Sequence, residues 1–479
     1  MQPSRGRALS RRRLLQLTGA TTLGALAGCT GQLPGTDDGG DREVTPRSTV
    51  TDQPDTSVSL TASPGTIRPA DSTSTTNWLY EDQFPGPELR VQEGDVLGIE
   101  VSNELPDDTT IHWHGVPVPN PVDGVPGLTQ DPIGPGETFT YTFRAEPAGT
   151  YFYHSHVGLQ LDRGLLGPLV VEESDPHVEY DREYVVVLDD YLPGEPRLPS
   201  GGGGGMGGGG GMGGGGMMGD VRPPYEGLLV NGRLSEDPPT FGVSEGERVR
   251  FRFVNAASAT VFGVRIAGHE MTMTHADGRP VEPIDVDSFV FGAGERYDAV
   301  VEATNPGSWF VQADALDGNE PPASAVIEYD STGEEGTPKR PSSSTDRLRY
   351  GDLRAISSLD GVSGRPDRTF DLTLSRGGGS SYTWTIDGQA YPDADPLRIR
   401  PGEHVRVRMT NRSPVVHPMH LHGHFFQVGD AVKDTVMVPG HMGQVTLDFH
   451  ADNPGRWLFH CHNLYHLDAG MARVVKYVE

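Results

Sequence analysis

The chain has 479 residues, enough for three domains of about 110–150 residues that each bury a core of their own. Its 66 Asp and Glu against 38 Lys and Arg leave a formal charge of -28, and Lys339, Lys433 and Lys476 are the only lysines. Such a surface repels phosphate backbones and excludes a nucleic-acid partner; it fits either life in concentrated salt, where carboxylates are screened, or attraction of cationic substrates.

The chain opens on an address. Ser10-Arg11-Arg12-Arg13-Leu14-Leu15 resembles a twin-arginine export signal, and the apolar stretch behind it is too short and too rich in Gly and Thr to span a bilayer. It closes on Leu26-Ala27-Gly28-Cys29, which resembles a lipobox. A leader over 1–29 is therefore expected, with Cys29 lipidated and the exported protein held at the cell surface; an ordinary secretory leader with an incidental cysteine is the alternative. Residues 30–57, rich in Asp, Gly, Thr and Pro, read as a flexible tether.

From about residue 58 one pattern recurs three times. EGDVLGIEVSN at 93–103, EGERVRFRFVN at 245–255 and PGEHVRVRMTN at 401–411 each run from a Gly turn through alternating apolar positions to an Asn. At the far end of each module, AGTYFYHSH at 148–156, PGSWFVQAD at 306–314 and PGRWLFHCH at 454–462 align without a gap. Helix signals are scarce, and the strand runs are punctuated by Gly, Pro and Asp. The expectation is an all-β chain of three tandem Greek-key β-barrel domains of the cupredoxin-like kind, at 58–174, 175–330 and 367–479. Residues 331–366 read as a linker. Within the second domain, 201–219 is almost pure glycine punctuated by Met206, Met212, Met217 and Met218. Soft thioethers favour Cu(I), so this loop either gathers cuprous ions or is a low-complexity expansion.

Comparing the copies shows where chemistry sits. The outer modules carry His112-Trp113-His114 with His154-Ser155-His156, and His420-Leu421-His422 with His460-Cys461-His462; the middle one has Val264-Arg265-Ile266 and Gln312-Ala313-Asp314. The middle module therefore reads as a spacer. On a strand, alternate side chains share a face, so His-x-His aims two imidazoles at one metal cluster while the residue between points away. Cys461 is such a residue, and its thiolate can hold a separate copper. His417, His466 and Met471 would complete a His₂Cys site with a weak axial thioether, the blue-copper geometry. With Cys29 in the leader and Cys461 on copper, no disulfide remains. His177, His269, His275, His404, His424, His441 and His450 read as hydrogen-bonded structural residues.

These four motifs, in this order, resemble those of the multicopper oxidases, the laccase and bilirubin-oxidase family, from about residue 58 to the C-terminus. The resemblance implies four copper ions. His112 and His420 would hold the type 2 copper, and His114, His154, His156, His422, His460 and His462 the type 3 pair. His417, Cys461, His466 and Met471 would hold the type 1 copper. It also implies one-electron oxidation of phenolic or similar organic donors coupled to reduction of dioxygen to water, with the Cys461 thiolate as the electron link. A cuprous oxidase for copper tolerance and a non-catalytic copper-sequestering surface lipoprotein are the alternatives. Asp123 matches an acidic position that relatives place near the type 2 copper, and would serve as catalytic proton relay; a solvated Asp-Gly turn is the competing reading. Where several bacterial relatives have Glu before the second type 1 histidine, this chain has Tyr465. The axial Met471 implies a modest potential, suited to easily oxidised phenols, bilirubin-like pigments or Cu(I).

Overall fold

The three turn–strand–Asn repeats become the strands Val96–Asn103, Arg248–Asn255 and His404–Asn411 in a computed structural model of the chain, which describes residues 42–199, 222–330, 337–342, 346–378 and 382–479. The leader 1–29, the first part of the tether and the Gly/Met tract lie outside the described residues. Each repeat strand runs parallel to the strand that opens its module, Thr56–Ala70, Arg182–Tyr191 or Arg368–Arg376. On its other side it runs antiparallel to Thr138–Arg144, Arg296–Glu302 or Gln444–His450.

The repeated asparagine has a physical reason. Asn103 donates from Nδ2 to the carbonyls of Asp107 and Ile133 and accepts the Leu105 N–H. Asn255 does the same with Thr260, Phe291 and Ala257, and Asn411 with Val415, Val438 and Ser413. All three side chains are buried, so an apolar replacement would strand backbone groups at about 1–3 kcal/mol each.

A second sheet closes each module over an apolar core. Among the described residues there are six sheets, two per module, and the one α-helix is the turn Leu464–Asp468, capped by Asn463. The chain is all-β, as its alternating patterns implied. In these second sheets His112 faces His154 and His420 faces His460, but in the middle module Val264 faces Ala313 rather than Gln312. The ungapped alignment thus slips by one residue there. Arg265 lies opposite Gln312 and pairs with Asp314 at 2.6 Å.

Two segments that composition marks as loose are docked. From residue 42 the tether lies on the body: Glu43 bridges to Val478, and Val44 packs on the core of the third module. In the 331–366 segment, Leu348 and Leu353 are buried in the core of the second module, and Arg347 and Ala355 bridge to Ser288 and Val281. Two well-placed leucines suffice to turn a polar linker into a strap.

The middle module is more than a spacer. Its Arg296 donates to the Thr150 carbonyl of the first module at 3.1 Å and to both carboxylate oxygens of Asp434 in the third at 2.7 and 2.6 Å. One buried guanidinium thereby ties three modules together where the outer two meet.

Candidate metal centres

The strands His112–His114 and Gly149–His154 of module one and His417–Leu421 and Arg456–Cys461 of module three, with the residues just beyond them, bring eight histidines into one cluster. Their ring nitrogens fall into groups that each lie within 4.8 Å: His114, His154 and His462; His156, His422 and His460; and His112 and His420, joined by His114. The two trios draw ligands from both modules, so neither module forms the site alone. Gly294, at φ 87°, passes so close that a Cβ there would come within 3.0 Å of His114 and His462.

Hydrogen bonds set the tautomers. The Nδ1 atoms of His112, His154, His420 and His460 lie 2.8–2.9 Å from the carbonyls of Asp123, Ser155, Asp434 and Cys461, which can only accept. Each Nδ1 therefore carries the proton, and the Nε2 lone pair points inward. The Nε2 atoms of His112, His154, His156 and His420 are buried without a partner, as is Nδ1 of His114 and both ring nitrogens of His462. His422 spends its Nδ1 on Asp123 Oδ2 at 2.9 Å, which leaves its Nε2 facing His460 Nε2 at 2.9 Å. Two lone pairs so close repel unless a cation lies between them. Burial pushes the imidazoles of His114, His154, His156, His420, His422, His460 and His462 below their usual range, so they are neutral donors. The donor set fits copper.

On the other face of the same strand, Cys461 Sγ lies 3.5 Å from Nδ1 of both His417 and His466, which are 3.1 Å apart. His417 Nε2 is held by Ser413 Oγ at 2.9 Å, and burial lowers the His417 pKa. Two nitrogens and one sulfur in a triangle match the blue-copper set. Met471 is fully buried beside them, its N–H donating to the His466 carbonyl at 2.9 Å. Trp384, buried, packs on His466 with ring centroids 4.2 Å apart.

The acids are less legible from sequence. Asp123 is fully buried rather than solvated: Oδ2 accepts from His422, Oδ1 lies 3.3 Å from His112 Nδ1 and has no hydrogen bond. Its place follows from the next residue, Gly124 at φ 87°, where a Cβ would lie 1.8 Å from the Ile111 carbonyl oxygen. A second carboxylate was missed. Asp434 lies 3.4 Å from His114 Nε2 and 3.5 Å from His420 Nδ1. Burial alone would raise its pKa, but Arg296 overrides this and holds the carboxylate ionised. The only hint in the sequence is a Lys-Asp pair inside an apolar run.

Tyr465 donates to a third acid, Asp162, whose carboxyl is pushed up to about 7 by burial and by the neighbouring Asp190. Four of the seven other histidines are held by side-chain hydrogen bonds, His269 to Tyr329, His275 to Glu173, His404 to Asp448 and His424 to Tyr477.

Comparison with known proteins agrees with this geometry. Family models described as multicopper oxidase match residues 61–176, 210–332 and 365–479. The multicopper oxidase MmcO of Mycobacterium tuberculosis is 38% identical over 83% of this chain and 82% of its own length. A copper resistance protein A homolog of Pseudomonas syringae pv. tomato is 29% identical over 83% of this chain and 88% of that protein. Among solved structures, the laccase from Botrytis aclada superposes with a TM-score of 0.71 at 26% identity, covering 88% of this chain and 87% of that one.

Proposed function

This chain belongs to the multicopper oxidases, and from that premise we propose that it is laccase-like, oxidising phenolic or similar organic donors one electron at a time and reducing dioxygen to water. The observation that carries the organic-donor reading is a cavity of about 270 Å³ whose wall includes His466, with Val261, Val415, Val416, Pro418 and Tyr382 around it. Apolar and aromatic side chains beside an imidazole edge suit a flat aromatic donor, with Arg222, Asp317 and Asn463 as the polar part of the wall.

Copper, when bound, supplies the one-electron chemistry and the binding of dioxygen. The protein supplies position and protons. His417, Cys461 and His466 would hold the electron-accepting ion, with Met471 beside them, and His460 and His462 flank Cys461 in the chain, joining that site to the histidine cluster through covalent bonds. Asp123 orients His422 and His112, and its buried, unbonded Oδ1 is the atom through which protons would be relayed. Tyr465, in the cavity wall, donates its hydroxyl hydrogen bond to Asp162, so a carboxyl poised near neutrality stands behind the donor site.

Cuprous oxidation in copper tolerance is the second reading, supported by similarity to a protein named for copper resistance and by the Met-bearing tract 201–219. Oxygen uptake by copper-loaded protein with a methoxyphenol, bilirubin and Cu(I) side by side tests both. Uptake with Cu(I) alone would refute the laccase-like reading; no uptake with any donor would leave copper sequestration. We also propose export by the twin-arginine route with a lipid on Cys29. Membrane fractionation of the parent and Cys29→Ser tests the anchor, since an unlipidated variant should leave the membrane fraction.

A further inference from the structure

A second, larger cavity of about 720 Å³ continues from the one beside His466, sharing Val261, Asp317, Pro414 and Val416 with it. Most of its wall is apolar, formed by Val290, Leu348 and Met437 among others, and its lip carries Leu316, 54% exposed and one of three large exposed hydrophobic residues among the described residues. An apolar cleft left open beside an electron-entry site suggests an aromatic occupant.

The strap between modules two and three adds a charge. Around Leu348 the backbone is extended: the Leu348 N–H donates to the Ser288 carbonyl, and Arg349 has φ -123° and ψ 154°. Leu348 is buried while Arg347 and Arg349 on either side of it are exposed, and all three belong to the cavity wall. No hydrogen bond or ion pair joins either guanidinium to another of the described side chains. Two neighbouring exposed arginines in one cavity wall give it a local positive charge, with Asp346 and Asp352 close to them in the chain. Asp317, the acid shared by both cavities, is itself paired with Arg222 at 3.1 Å and does not cancel them.

We propose that this groove selects donors that are both aromatic and anionic: the phenol head lies in the small cavity against His466, and a carboxylate on the tail meets Arg347 and Arg349. Hydroxycinnamate-type acids have this shape and charge. The inference rests on the organic-donor reading above and adds to it a substrate class. Against the field of a chain with net charge -28, a local pair of guanidiniums is what allows an anion to approach at all.

The test compares a hydroxymethoxycinnamate with its methyl ester, which has the same phenol and no charge, at the lowest salt that keeps the protein folded. The acid should have a KM about five- to tenfold below that of the ester, at similar kcat, since two exposed ion pairs are worth about that much. Added salt should erase the difference. Arg347→Gln/Arg349→Gln should bring the two KM values together, while Arg182→Gln/Arg408→Gln, which removes the same charge elsewhere, should not. A parent enzyme that favours the ester, or a preference untouched in the first double variant, overturns the proposal. Calorimetry on the copper-loaded protein with dimethoxycinnamate, which has no phenol to oxidise, separates the two ideas. If neither acid nor ester is oxidised, the laccase-like reading fails. The anion site then stands if Arg347→Gln/Arg349→Gln weakens dimethoxycinnamate binding at least about fivefold, and falls if binding is equal.

Discussion

Removing copper should make this protein acid-labile in a way its buried histidines quantify. Eight of the proposed ligands, His114, His154, His156, His417, His420, His422, His460 and His462, are pushed below the usual imidazole range by burial, most of them also by neighbouring imidazoles. Above about pH 6.5 they are neutral whether the chain is folded or not, and contribute no pH dependence. Below it the unfolded chain takes up their protons and the folded one does not, so stability falls as pH falls. Four buried carboxyls, Asp162, Asp189, Asp190 and Glu295, have raised pKa values and act with the opposite sign, because the folded form holds their protons first. His269, His275 and His424 are lowered as well, and Asp317 and Asp468 raised, so eleven imidazoles against six carboxyls leave a net uptake of about five protons on unfolding, or about 7 kcal/mol per pH unit. Whole-domain stabilities are only about 5–15 kcal/mol, so the metal-free protein should unfold within roughly one to two units below pH 6.5. Bound copper keeps the same histidines deprotonated, so it should leave the slope alone and displace the curve to lower pH by its binding free energy. Urea unfolding of metal-free and copper-loaded protein between pH 7 and pH 4, followed by tryptophan fluorescence, measures both. A metal-free stability that is flat over this range, or identical to that of the loaded protein, would refute the reasoning.

Four further outcomes are expected. Cys461→Ser should abolish the intense red-light absorption and all oxidase activity while copper analysis still finds the histidine cluster largely loaded; a variant that stays blue contradicts the assignment. Asp123→Asn keeps an acceptor for the His422 N–H but removes the group that would relay protons, so steady-state oxygen uptake should drop on the order of tenfold or more while anaerobic bleaching of the blue colour keeps its rate. Arg296→Met leaves the Asp434 carboxylate buried and unpaired between three modules and should cost about 3–5 kcal/mol in denaturant unfolding; a loss under about 1 kcal/mol would show that the clamp is not structural. Replacing Met206, Met212, Met217 and Met218 together by Leu should lower Cu(I) oxidation relative to phenol oxidation if the tract gathers cuprous ions, and an unchanged ratio makes it a spacer.

The ligands were legible in the sequence because their logic is local. A strand places residues i and i+2 on one face, so His112-Trp113-His114 and His460-Cys461-His462 announce both the convergence of the imidazoles and the separate aim of the thiol without reference to anything distant. The threefold repeat was legible for the same reason: each copy needs its own Gly turn, its alternating apolar strand and its Asn to satisfy the loop behind it. Tertiary structure decided what depends on which surfaces meet. The grouping of six histidines into two mixed trios, the approach of Asp434 to His114 and His420, and the reach of Arg296 into both outer modules join residues up to more than 300 positions apart, and no spacing rule spans such distances. The same holds for the strap. Composition shows a polar, glycine-bearing segment at 331–366, yet Leu348 finds a buried site that exists only once the second module has folded, and docking there is what places Arg347 and Arg349 in the wall of the groove beside the electron-entry site.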